Sequence, residues 1–246
     1  MRYLNWKIIL GISLIILSAI FYFIHYAIFR DAHHIFLYLI GDIAFIFVQV
    51  LMVTLIIDQL LNQREKRAML KKLNMVIGAF FSEVGTHLLT SFYGFGPPDD
   101  QIRRDLVESN DWSDKAFSKM NKLLRDYDFN MESEKGDLEG LKMFLIEKRG
   151  FLLGLLENPN LLEHETFTEL LWAVFHLTEE LAFRENLKGL PDTDYGHLSI
   201  DIKRAYRLLL SEWLAYMKHL RDNYPYLFSL ATRMNPFDPN ASVVVK

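Results

Sequence analysis

The 246-residue chain is 51% hydrophobic and 24% charged, with a mean hydropathy of +0.08, so one segment must be far more apolar than the rest. It has no cysteine, which excludes a disulfide scaffold, a thiolate nucleophile and any Cys-ligated metal or iron–sulfur centre. A net charge of -4 and a pI near 6.1 argue against a nucleic-acid partner, which calls for a basic excess.

The apolar excess lies at the start. Ile8 to Phe29 contains no Asp, Glu, Lys or Arg, and Ile35 to Ile57 contains one charge, Asp42. A spanning helix needs about 20 mostly apolar residues, so each stretch is long enough. Only residues 30–34 lie between them, enough for a tight turn. A cleaved signal peptide has a shorter apolar run of about 7–15 residues followed by small residues, which is not the pattern here. The expectation is a two-helix transmembrane hairpin over 1–57, with spans at about 8–29 and 35–57. Arg2 and Lys7 precede the first span, and Arg64, Lys66, Arg67, Lys71 and Lys72 follow the second, against Arg30 alone in the connection. By the positive-inside rule both termini face the cytoplasm of a cell (inner) membrane. The five basic residues after the second span also suit anionic lipid headgroups, which makes the bilayer itself an expected partner.

Beyond the hairpin the composition is that of a soluble helical protein. Residues 58–246 carry 24 of the 27 basic and 29 of the 31 acidic side chains. No Gly or Pro falls between Asp42 and Gly78, so the second span is expected to run on as a stalk helix over 58–92. Leu70, Leu73, Ile77, Phe80, Val84 and His87 repeat every three or four residues, one face of a helix. Gly94-Phe95-Gly96-Pro97-Pro98 must stop it. A helical bundle is then expected over 93–234, with an irregular tail over 235–246. Within the bundle, a short helix follows Asp99–Asp100, another runs from Asp111 or Ser113 to about Tyr127, and longer ones span about 137–156, 163–187 and 195–222. Pro225 suits the first turn of a final helix ending near Arg233. The polar stretch 99–139 reads as an excursion or flap. No alternating strand pattern appears, and the fold class is all-α.

The helices place carboxylates and imidazoles on common faces. Glu169, His176 and Glu180 are separated by seven and four residues, and Glu212 and His219 by seven, with Glu83 and His87 four apart. Bundles build metal sites from such inward-facing residues, but the di-iron motif Glu-x-x-His is absent. The helix holding His176 is apolar nearly all round, with Trp172 and Phe183 on the imidazole side, so His176 is expected to be the most buried histidine. The expectation for these faces is paired charges, with no cofactor, and a metal site as the alternative. In the hairpin, Tyr22 and His25 on the first span and Asp42 and Gln49 on the second form a polar cluster. An ionisable residue inside a span marks a functional site by default, but the favoured expectation is that Asp42 bonds Tyr22 or His25 and holds the two helices in register, with a proton or ion path in an oligomer as the alternative.

The favoured reading is a membrane-anchored helical module that binds an unidentified protein partner or itself, without enzymatic activity. The alternatives are an oligomeric channel or transporter subunit built on the second span, and a metal-dependent enzyme or sensor using the Glu/His faces.

Overall fold

The computed structural model describes residues 2–98, 100–107, 113–159, 161 and 164–245. Every regular element among them is helical: α1 (Arg2–Phe29), α2 (Ala32–Phe80), a π-helical turn (Phe81–Gly85), α3 (Thr86–Tyr93), α4 (Asp100–Val107), α5 (Asp114–Asp126), α6 (Leu138–Leu156), α7 (Glu165–Ala182), α8 (Asp192–Asn223) and α9 (Pro225–Arg233). The chain divides into two compact units, Met1–Lys66 and Arg67–Lys246.

The N-terminal unit is two successive helices whose apolar side chains are exposed. Two of its stretches, Ile8–Phe29 and Ile35–Glu65, are long and apolar enough to cross a membrane. The connection is shorter than the five residues the sequence suggests. Arg30 adopts a left-handed conformation (φ 47°) and its N–H bonds Tyr26 O at 2.8 Å, so α2 begins at Ala32 and His33 and His34 lie inside it. A left-handed residue at a helix C-terminus turns the chain within one residue.

In the C-terminal unit, Leu73, Ile77, Phe80 and Val84 lie in the core as their spacing predicts, but His87 does not. The π turn inserts one extra residue into the ladder and shifts the buried face to Leu88, Leu89 and Phe92. Thr86 Oγ1 donates to Phe81 O at 2.8 Å and satisfies a carbonyl within that turn. His87 is exposed, its ring 3.9 Å from that of Phe144. The stretch Lys72–Tyr93 is also apolar enough to be a span, but it is 44% buried and supplies this core.

Local signals explain the remaining boundaries. Ser113 caps α5 by accepting from Ala116 N (3.3 Å), Asp137 caps α6 from Gly140 N (2.9 Å), and His164 caps α7 through its ring nitrogen from Phe167 N (3.3 Å). Pro225 opens α9. α8 packs against α3, α5, α7 and α9, and α6 against α7. Its stripe Ile202, Tyr206, Leu209, Trp213 and Leu220 is buried, as the spacing predicts, while Tyr216 is only partly so.

The stretch 99–139 is no flap where it is described. Phe117, Met120, Leu124, Phe129 and Met131 enter the core, and Ser133 bonds both Ser199 Oγ (2.9 Å) and Tyr195 O (2.8 Å) on α8. These five large side chains face the core, which a low average hydrophobicity of the stretch conceals. Gly96 lets the breaker segment meet this stretch: a Cβ there would lie 2.1 Å from Asn130 O, and Glu132 N bonds Phe95 O at 2.9 Å. The tail is irregular but docked. Asn235 is buried and donates to Leu106 O (2.8 Å), and the Phe237 ring lies 5.3 Å from Trp213.

Candidate metal centre

α7 ends at Ala182, short of the expected Leu187, because Arg184 ties the following turn to α8. Its guanidinium donates to both Asp194 oxygens (Nε 2.9 Å, Nη2 2.6 Å) and to Glu180 Oε2 (2.8 Å). Tyr195 Oη accepts from Gly189 N (3.0 Å) and donates to Leu187 O (3.1 Å). The loop 183–191 thus returns the chain antiparallel to α7 in a defined register.

That register brings two matching helical pairs together. On α7, His176 and Glu180 are four residues apart; on α8, His197 and Asp201 are four apart. Four side chains converge. His176 Nε2 lies 3.3 Å from Asp201 Oδ2 and 3.8 Å from Glu180 Oε1; His197 Nε2 lies 3.4 Å from Asp201 Oδ2 and 3.6 Å from Glu180 Oε2. The ligand atoms of His176, Glu180 and His197 all fall within 4.8 Å of one another.

The two carboxylates are held from behind. Asp201 Oδ1 accepts from Arg204, leaving Oδ2 buried with no hydrogen-bond donor and aimed between the two imidazoles. The Arg184 hydrogen bond, with the nearby His197 and His176, keeps the Glu180 carboxyl below its ordinary range despite partial burial; the same guanidinium lowers Asp194. Glu180, Asp194 and Asp201 outnumber Arg184 and Arg204, so with neutral imidazoles the cluster keeps a negative charge.

These distances have a chemical meaning. Zinc-type bonds of about 2.0–2.2 Å to nitrogen and oxygen give a tetrahedron with edges of about 3.3–3.6 Å. Asp201 Oδ2 meets both imidazole nitrogens at such distances, 3.3 and 3.4 Å, whereas Glu180 faces them with two different oxygens, Oε2 at 3.6 Å from His197 and Oε1 at 3.8 Å from His176. Two imidazoles and two carboxylates suit a borderline divalent transition metal.

The sequence-predicted metal set is only partly assembled. His176 and Glu180 meet, but His176 is half exposed (45%) rather than the most buried histidine, and Trp172 and Phe183 face outward with it. Glu169 lies along the same face of α7, in an adjoining groove. Glu212 is buried at the other end of α7, near Thr166 and His164; burial pushes its carboxyl up and those neighbours partly offset it. His219 lies against Asn223 and Tyr224, and burial lowers it. Sequence reasoning missed His197 and Asp201, although their four-residue spacing repeats that of His176 and Glu180.

In the hairpin, Tyr22, His25 and Asp42 line one crevice with Ser18 and Tyr38, whereas Gln49 does not border it. Arg64 and Lys72 are exposed, and the side chains of Lys66, Arg67 and Lys71 lie outside the described residues.

Comparison with known proteins covers nearly the whole chain. Residues 2–61 match the N-terminal helical domain of MJ1433, and residues 69–233 match the C-terminal helical domain of the protein described as Uncharacterized protein MJ1433. That Methanocaldococcus jannaschii protein is 48% identical over 242 residues, 98% of this chain and 97% of its own length. No solved structure matches. With both helical domains matched in order, the chain belongs to the MJ1433 family.

Proposed function

We propose that the protein is a membrane-anchored metal-binding module. The N-terminal hairpin spans the membrane with both termini in the cytoplasm, and the C-terminal helical unit holds one divalent transition metal ion through His176, Glu180, His197 and Asp201. The observation that carries the reading is Asp201 Oδ2, buried without a donor and at tetrahedral-edge distance from two imidazole nitrogens. Burying an ionised oxygen without a partner costs several kcal/mol, which a cation at that point offsets. Arg204 and Arg184 orient the ligating carboxylates, the usual role of groups behind a metal site. On this reading a bound metal replaces the simple charge pairing expected from the helix faces. A membrane-tethered interaction or sensor role fits a metal that joins α7 to α8, because occupancy then sets how firmly the two helices are held.

The test is metal analysis of the full chain purified in detergent. About one transition metal per chain is expected, lost in His197→Ala and in His176→Ala. Both imidazoles are half exposed, so neither change should unfold the protein. Metal-free protein after purification and failure to take up zinc or manganese would refute the centre. The orientation is checked separately: a phosphatase fused after Lys246 should be inactive, and activity there would reverse it.

A further inference from the structure

The faces that carry the metal centre continue beyond it. On α7, Glu169, Trp172, Ala173 and His176 form one stripe; on α8, Ile200, Lys203, Arg204 and Arg207 form the facing one. With α5 closing the third side, they border a groove of about 930 Å³ that begins at His176 and Arg204 and therefore opens directly from the centre.

Its lining carries an excess of positive charge, part of it already paired. Arg125, Lys203, Arg204 and Arg207 border it, against the single carboxylate of Glu169. Three of these cations are held in place: Arg207 Nη2 donates to Arg125 O at 2.7 Å, Arg204 is anchored on Asp201, and Lys203 pairs with Asp128. Beside them the wall is apolar and open. Trp172 is 58% and Ile200 63% exposed, while Trp213 in the same unit is buried. A positive groove next to an exposed indole matches an anion carried on a flat or apolar body. Guanidinium forks match phosphate oxygens in pairs.

We propose that this groove binds a phosphate monoester attached to an aromatic or alkyl body. The phosphate lies by Arg204 and Arg207, and the body lies over Trp172 and Ile200. The proposal goes beyond the metal reading, and the guanidinium and indole contacts stand without it.

The experiment is calorimetric titration of the full-length protein in detergent, loaded with zinc or manganese. The probes are AMP, dioctanoyl phosphatidic acid, inorganic phosphate, adenosine and hippurate. AMP or the short-chain lipid should bind at least tenfold more tightly than adenosine or hippurate. A preference for AMP assigns the ligand to soluble organic phosphates, and a preference for phosphatidic acid assigns it to lipid headgroups. Arg207→Gln should weaken phosphate binding at least tenfold. Trp172→Ala should weaken the organic phosphates and leave inorganic phosphate unchanged. Both side chains are exposed and neither is a metal ligand, so metal content should not change. Failure of both phosphate probes to bind metal-loaded protein, equal binding of hippurate, or wild-type affinity in both variants overturns the proposal. If no metal is found but AMP still binds in an Arg207-dependent way, the metal reading fails and the groove survives. Bound metal with neither phosphate probe bound fails the groove alone.

Discussion

Tyr206 is completely buried on α8, its ring edge-on to Phe92 and Phe129, and its hydroxyl has no hydrogen-bond partner among the described residues. Burial pushes that phenol well above its ordinary range. An unsatisfied buried hydroxyl costs about 1–3 kcal/mol, while the ring supplies the packing. Tyr206→Phe is therefore expected to leave stability unchanged or raise it by about 1 kcal/mol. Denaturant melts in detergent check this, and a loss of more than about 1 kcal/mol would reveal a partner. Among the described residues Asp201 is the other buried side chain with an orphaned oxygen, but unlike Tyr206 it faces two half-exposed imidazoles. The tyrosine oxygen is a tolerated cost of filling the core; the aspartate oxygen is aimed between two imidazoles.

Two elements depend on single side chains. At the π turn, a Cβ on Gly85 would come within 2.6 Å of the Phe81 ring and 2.9 Å of the Phe80 ring, both buried. Gly85→Ala should cost about 1–3 kcal/mol through overpacking, although alanine is the better helix former. At about 2–4 °C per kcal/mol for a domain of this size, the Tm should fall by several degrees; an increase would mean that the turn relaxes to regular α-helix. The turn between α7 and α8 depends on Arg184. Its hydrogen bonds depress Glu180 and Asp194, so their contribution is fully present above the ordinary carboxylate values and fades as pH falls through the lowered native ones. Arg184→Gln should destabilise by about 1–3 kcal/mol near neutral pH. The gap from wild type should shrink below about pH 4. Melts recorded from pH 7 down to 3 test it, and a pH-independent gap would assign the loss to packing alone.

At the scale of the molecule, the two units differ in what their side chains meet. In Met1–Lys66 the large apolar residues face outward, while Arg67–Lys246 encloses Phe80, Phe92, Phe167, Tyr206 and their neighbours in its own core. A unit of this size with a closed core is expected to fold alone. Residues 67–246 expressed without the hairpin should give a strongly helical circular dichroism spectrum and cooperative thermal unfolding. A coil spectrum would show that this unit requires the hairpin. Removing α1 and the first half of α2 should leave metal content unchanged, because all four proposed ligands lie on α7 and α8.

Features that depend on near neighbours in the chain were legible in the residues alone. Apolar run length marked the two candidate spans, Pro and Gly marked the stop after Tyr93, and Ser113, Asp137 and Pro225 marked helix starts, because capping and backbone restriction act within one turn. The π turn escaped, since one inserted residue moves the buried face from His87 to Leu88 and Leu89 with no local signal beyond Gly85. Periodicity also failed to orient α7: a helix apolar nearly all round does not disclose that Trp172 and His176 form its outer side. The candidate centre belongs wholly to tertiary structure. His176–Glu180 and His197–Asp201 are each visible as a helical pair, but which pair meets which depends on the antiparallel register of α7 and α8. That register is set by the loop 183–191, the Arg184 clasp and the core beneath, which are contacts between residues far apart in the chain.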